Sequence, residues 1–167
     1  GVPIAGFSRL SYASEGPPEP LGARAVVLAS PGCTVALASA EILLVPEALD
    51  AAVRARVADL GLTGLVFVAT HTHAGPGGYF DNALFARLAT GPYDPKARDA
   101  IVAAVEEAIR RAAGSLGPAR VSIGRGWADD LARSRSGGLE DAPLTVLQLD
   151  RPDGAPVSGL SGIATAA

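Results

Sequence analysis

The sequence predicts an α/β fold, a mixed sheet with helices packed on it. Three observations carry this. Two β runs, 23–29 and 34–45, flank a Ser30-Pro31-Gly32 turn. A helical period over 46–61 leads into the apolar run Leu65-Val66-Phe67-Val68-Ala69. A longer helical period opens at Asp94-Pro95. A hairpin followed by a β-helix-β crossover needs antiparallel pairing on one side of a strand and parallel pairing on the other.

Residues 1–22 are rich in Pro, Gly and Ser and read as an irregular lead-in, with Gly16-Pro17-Pro18 as a breaker. Phe7 and Tyr12 either edge a pocket or pack as ordinary aromatic anchors. The hairpin 23–45 follows, and Glu41 interrupts its second run. A carboxylate there is costly to bury unless paired or hydrogen-bonded. It is either an acceptor for a histidine N–H or an exposed acid at a strand end.

The helix 46–61 has Pro46 near its first turn, Gly61 as its stop, and the apolar stripe Leu49, Val53, Val57 and Leu60. Arg54 and Arg56 fall on its polar side, where solvation is expected. The run 65–69 reads as a buried strand, parallel to its neighbour through a right-handed crossover. A short helix is expected over 81–88 and a loop over 90–93. Asp94 then caps a helix with Pro95 at its first position, the stripe Ala97, Ile101, Val105, Ala108, Ile109 and Ala112, and Gly114 as its end. Glu106, Glu107, Arg110 and Arg111 read as a solvated, salt-laced face. Strands follow at 119–125, 144–149 and 156–164, the last two joined by an Asp150-to-Gly154 turn.

The chain has 167 residues, 49% of them hydrophobic but only 5% aromatic, so its core is built of Ala, Val and Leu. This is one domain of ordinary size. Net charge is -3 and no basic patch stands out, which argues against a nucleic-acid surface. No apolar run approaches the ~20 residues that cross a bilayer. The single cysteine, Cys33, excludes an internal disulfide and sits in a turn as a bystander thiol. The C-terminal β run, 158–167, carries no charge or proline to blunt its edge, so a second copy of the chain is a candidate to cover it and form a homo-oligomer.

The site candidate is Thr70-His71-Thr72-His73-Ala74-Gly75-Pro76-Gly77-Gly78-Tyr79-Phe80, which holds both histidines of the chain. It lies where a strand breaks into Gly and Pro, the usual ligand position in open α/β sheets. Residues two apart on an extended strand point the same way, so His71 and His73 can aim at one spot, as half of a metal site does. The alternative is a pair of histidines capping a strand against backbone carbonyls. The glycines let backbone N–H groups reach a ligand.

The string 70–79 resembles the signature of the neutral/alkaline, non-lysosomal ceramidase family. Gly1-Val2-Pro3-Ile4-Ala5-Gly6-Phe7, Pro20-Leu21-Gly22-Ala23-Arg24-Ala25-Val26-Val27-Leu28 and Val35-Ala36-Leu37-Ala38-Ser39-Ala40-Glu41-Ile42-Leu43 are similar to the family's opening and its next two strands, with Glu41 where the family has Asp. The resemblance covers most of this chain but only the N-terminal part of a family catalytic domain, so 1–167 reads as a single, partial α/β domain. It implies a zinc-dependent amidase that cleaves the N-acyl bond of ceramide-like lipids. On it, His71 is a zinc ligand, His73 contacts substrate or the metal's water, the amides of Gly77 and Gly78 line the substrate site, and Arg133 orients substrate.

Departures from the family are plain. Ala132-Arg133 replaces an Asn-Arg pair, leaving Arg133 open to reading as a surface arginine. Ala166 falls where the second zinc histidine is expected, and the family's downstream Glu and Tyr ligands have no counterpart. The chain by itself is therefore expected to hold zinc weakly and to turn over little ceramide. The alternative function is a non-catalytic fragment or degenerate relative that binds a ligand or partner. A metal-free anion site in the glycine loop ranks last, since no Lys and no helix follow the glycines directly. No signal peptide is read, but residue 1 already lies inside the opening motif, so this has no bearing on compartment. The resemblance implies a secreted or periplasmic setting.

Overall fold

The computed structural model describes residues 4–6, 20–127 and 143–163. They form two compact units, Gly1–Leu116 and Gly117–Ala167. Mixed α/β content is what the sequence predicts.

The first unit is built on a three-stranded sheet in the order β1 (Ala23–Ser30), β2 (Cys33–Ala40), β3 (Gly64–Ala69). β1 and β2 are antiparallel, from Ala23↔Ala40 to Ser30↔Cys33. Their turn is Pro31-Gly32, with Gly32 at φ 75°. Proline followed by a left-handed glycine suits a type II turn. β2 and β3 are parallel, from Val35↔Gly64 to Ala40↔Ala69. Helix α1 (Glu47–Arg56) crosses between them, followed by a short 3₁₀ turn, Ala58–Leu60, that ends on left-handed Gly61.

Period-2 alternation sends Val27, Ala36, Ala38, Ala40, Leu65 and Phe67 to one face. There they join Leu49 and Val53 of α1 and Ile101, Val105 and Ile109 of helix α3 (Pro95–Gly114) in one core. Ala36, Ala38 and Ala40 are nearly or wholly buried, and their small side chains let the helices seat close to the sheet. Asp94 caps α3 by accepting the Lys96 N–H at 2.9 Å.

Four expectations need correction. β3 is not a buried strand: Leu65 and Phe67 point inward while Val66 and Val68 stay half exposed, because the described core covers one face of the sheet. β2 stops at Ala40 rather than 45, since Glu41 turns aside to pair with Gly22 and Arg24. Arg54 is not merely solvated: it donates to the Leu65 carbonyl at 2.8 Å and ties α1 to β3. Arg110 is likewise a tertiary tie. It donates to both Asp59 carboxylate oxygens at 2.9 and 2.8 Å, to the Arg56 carbonyl at 2.6 Å and to Glu106 at 2.9 Å. The Asp59 carboxyl is accordingly held below its ordinary range by the Arg110 hydrogen bonds.

Between β3 and α3 lie the histidine loop, a one-turn helix α2 (Ala83–Phe85) capped by Asn82, and a π turn, Ala86–Thr90. No described helix is long and apolar enough to cross a membrane.

The second unit is an antiparallel meander of β4 (Arg120–Trp127), β5 (Pro143–Asp150) and β6 (Pro156–Ile163). β5 is central, with β4 and β6 as the outer strands of the described meander and a register shift at Leu149/Asp150. The β5–β6 turn closes with Gly154 at φ 87° and Arg151 N–H on the Ala155 carbonyl at 2.8 Å.

Candidate functional site

β3 ends at Ala69, and Thr70 N–H still reaches the Ala40 carbonyl at 3.0 Å. The chain then leaves the sheet. His71 has φ 60°, and it is the one non-glycine residue with positive φ among those described. A left-handed conformation costs an L residue ~1–2 kcal/mol. The His71 ring answers that cost. Its Nδ1 lies 2.9 Å from the Leu43 carbonyl oxygen, and a net hydrogen bond contributes ~0.5–1.5 kcal/mol. The two terms are of one size, so the bond offsets most of the strain.

A carbonyl can only accept, so Nδ1 carries a proton, and in the neutral ring Nε2 then keeps its lone pair. The His73 ring stands beside it, with centroids 5.3 Å apart and planes at 67°. The two imidazoles are thus brought together, but not by strand alternation: the left-handed turn at His71 does it. Capping a backbone carbonyl does not rule out offering a lone pair to a metal, because the two roles fall on different nitrogens of one ring.

The loop beyond is held against three other segments. Gly75 accepts the Ala5 N–H at 3.1 Å, and Ile4 bridges Pro76. A Cβ on Gly75 would meet the Glu41 carbonyl oxygen at 2.8 Å, so only glycine fits that approach. Gly77 and Gly78 are buried. Gly78 donates its N–H to the Thr90 carbonyl at 2.6 Å and accepts the Asp94 N–H at 2.7 Å. Its amide is engaged in docking the loop on the start of α3. Arg133 lies outside the described residues.

Tyr79 closes the loop. It is 2% exposed, and its hydroxyl donates to the Leu44 carbonyl at 3.0 Å and accepts the Leu44 N–H at 3.2 Å. Burial pushes its phenol pKa up, against the smaller lowering from those backbone bonds.

Glu41 is not a histidine acceptor. Its carboxylate takes the Arg24 guanidinium at 2.7 Å and the Gly22 N–H at 2.8 Å. These, the Arg24 bond first, hold its pKa below the ordinary 4.5. The histidine's partner is the backbone of Leu43 instead. Sequence reading missed that carbonyl, the Tyr79 hydroxyl and the close approach of Gly6. Only Tyr79 left a signal: a tyrosine in an aliphatic core needs a partner for its O–H.

The donor chemistry fits a single metal ligand, the Nε2 of His71, with a second imidazole beside it. Among the described residues no group of three His, Cys, Asp or Glu side chains comes together, whereas a catalytic zinc usually takes three protein ligands.

The family model for neutral/alkaline non-lysosomal ceramidase, N-terminal, matches residues 1–138. Neutral ceramidase of Mycobacterium tuberculosis is 38% identical over 92 residues, which span 52% of this chain and 14% of that protein. The crystal structure of neutral ceramidase from Pseudomonas aeruginosa superposes with a TM-score of 0.79 at 25% identity, covering 96% of this chain and 28% of that one. The chain thus spans less than a third of either relative.

Proposed function

Since the chain belongs to the neutral/alkaline non-lysosomal ceramidase family, we propose that it forms part of a zinc-dependent hydrolase that cleaves the N-acyl amide bond of ceramide-like lipids. The observation that carries this is the His71 ring, whose Nδ1–H is held on the Leu43 carbonyl at 2.9 Å while Nε2 stays available. Metal-binding histidines take this form, because the second nitrogen's bond sets the tautomer and raises the ligand's basicity. Zinc, when bound, would supply Lewis acidity for amide hydrolysis.

His71 would hold the metal through Nε2, the nitrogen not engaged by Leu43. His73, whose ring centroid is 5.3 Å away, is close enough to bond the substrate amide or the nucleophilic water. Gly77 and Gly78 shape the loop that faces substrate, and Arg133 orients it. The described residues bring no group of three ligands together, so further ligands would have to come from elsewhere in the protein. The competing reading is a non-catalytic part or degenerate relative that keeps the scaffold as a binding surface.

The test is a chimera in which residues 1–138 of this chain, the part that matches the family model, replace the matching segment of the Pseudomonas aeruginosa enzyme, which keeps its own residues beyond that segment. The expected result is zinc retained after dialysis and hydrolysis of a labelled ceramide, both lost in His71→Ala. A folded chimera that neither keeps zinc nor turns over ceramide supports the binding-scaffold reading. The isolated chain should show weak, chelator-reversible zinc binding and little turnover.

A further inference from the structure

The Leu43 carbonyl that accepts from His71 and the Leu44 N–H that donates to Tyr79 belong to one peptide group. That group is planar and trans, so its two ends turn together. At one end stands His71 Nδ1 at 2.9 Å. At the other stands the Tyr79 hydroxyl at 3.2 Å, which also donates to the Leu44 carbonyl at 3.0 Å. The segment after β2 has left the sheet, so no strand ladder sets the orientation of this peptide. A hydroxyl that donates and accepts on a single residue is a clamp against rotation of the plane on which His71 depends.

From this geometry we infer that Tyr79 is a positioning residue for His71. It holds the 43–44 peptide so that its carbonyl selects the Nδ1–H form of the ring and aims Nε2 at the metal. The inference rests on the reading of His71 as a metal-facing histidine, but it concerns the chain's own hydrogen bonds. Tyr79 is fit for the task because it does not move: its side chain is buried at 2% exposure and anchored in the same core as Leu49 and Val53. Burial also keeps the phenol protonated, so it can donate and accept together. Bonds in such a chain polarise one another, so the peptide's N–H bond strengthens its carbonyl as an acceptor.

The test is Tyr79→Phe, which removes one oxygen and keeps the ring. The readout is the tautomer of His71, from the ring 15N shifts at pH ~8.5, about two units above the usual imidazole pKa. The native chain should show one Nδ1–H form. The variant should populate both forms, and its zinc affinity in a chelator competition should fall roughly 10-fold. Ile109→Ala is the control. It removes core packing on α3 and should lower stability without moving the His71 tautomer. A single Nδ1–H form in Tyr79→Phe overturns the proposal, as does an equal shift in Ile109→Ala. If Tyr79→Phe does not fold, 3-fluorotyrosine at position 79 takes its place. The altered hydroxyl should then move the Leu44 amide and the His71 ring nitrogens together, and movement of the amide alone overturns the proposal. A shifted tautomer alongside absent ceramide turnover in the native chimera removes the hydrolase reading and leaves the positioning role supported.

Discussion

Gly6 lies so close to His73 that a Cβ built on its backbone would stand 2.7 Å from both Cγ and Nδ1 of the imidazole. Cγ is the root of the ring, so the ring cannot swing clear as the tip of a flexible side chain could. Gly6 also sits at φ 101° and donates its N–H to the Ala89 carbonyl at 2.7 Å. The opening of the chain thus forms a wall of the site.

Gly6→Ala should therefore displace His73 and lower stability by ~1–3 kcal/mol, the range for a strained backbone position. Ring resonances of His73 and a urea titration check this. Native shifts together with native stability would show that the lead-in yields at no cost.

Ile109→Ala should cost ~2–5 kcal/mol, the range for emptying a buried aliphatic site. Ile109 is wholly buried, and α1 and the sheet share its core. The urea midpoint should fall with little change in slope. A loss below 1 kcal/mol would mean that the alanine-rich face of β2 collapses to fill the space.

Glu41 makes stability depend on acid. Arg24, then Gly22, hold its folded pKa below 4.5. A depressed carboxyl pKa stabilises the fold above 4.5, and that contribution is lost as pH falls through the lower folded value. Glu41→Gln should be less stable than the native chain at neutral pH and converge with it in acid. Parallel stability curves for the two proteins across that window would exclude a role for this pair.

Tyr79 makes stability depend on base. Its folded pKa is raised above 10.0, first by burial. Its contribution is complete below 10.0 and is lost as pH rises through the folded value. Tyr79→Phe should be weaker at neutral pH, where Leu44 loses both partners, and should lack this share of the alkaline loss. The check is the difference between the two melting-temperature curves, which should narrow above pH 10.0.

Local signals carried much of the fold. Pro31-Gly32 specifies a hairpin turn because proline sets one torsion and glycine alone easily takes the next. Asp94-Pro95 specifies a helix start, and the structure places α3 there with that cap. The ends of strands were less legible. Nothing in the run after Ala40 says that it leaves the sheet, because Glu41 is drawn aside by Gly22 and Arg24, 19 and 17 residues away.

The sequence by itself determined which residues could do chemistry: two histidines at a strand end, followed by glycines that permit close backbone approach, in a string that resembles one family's signature. Spacing alone also suggested that the rings meet, though for another reason than the one observed. Tertiary structure decided what each nitrogen does. His71 finds its acceptor 28 residues away at Leu43, and Tyr79 finds Leu44 across 35. Both partners are backbone atoms, which every residue carries and no residue type announces. Their placement follows from the packing of α1, α3 and the sheet into one core, and only that core brings the peptide after Leu43 between the tyrosine and the histidine.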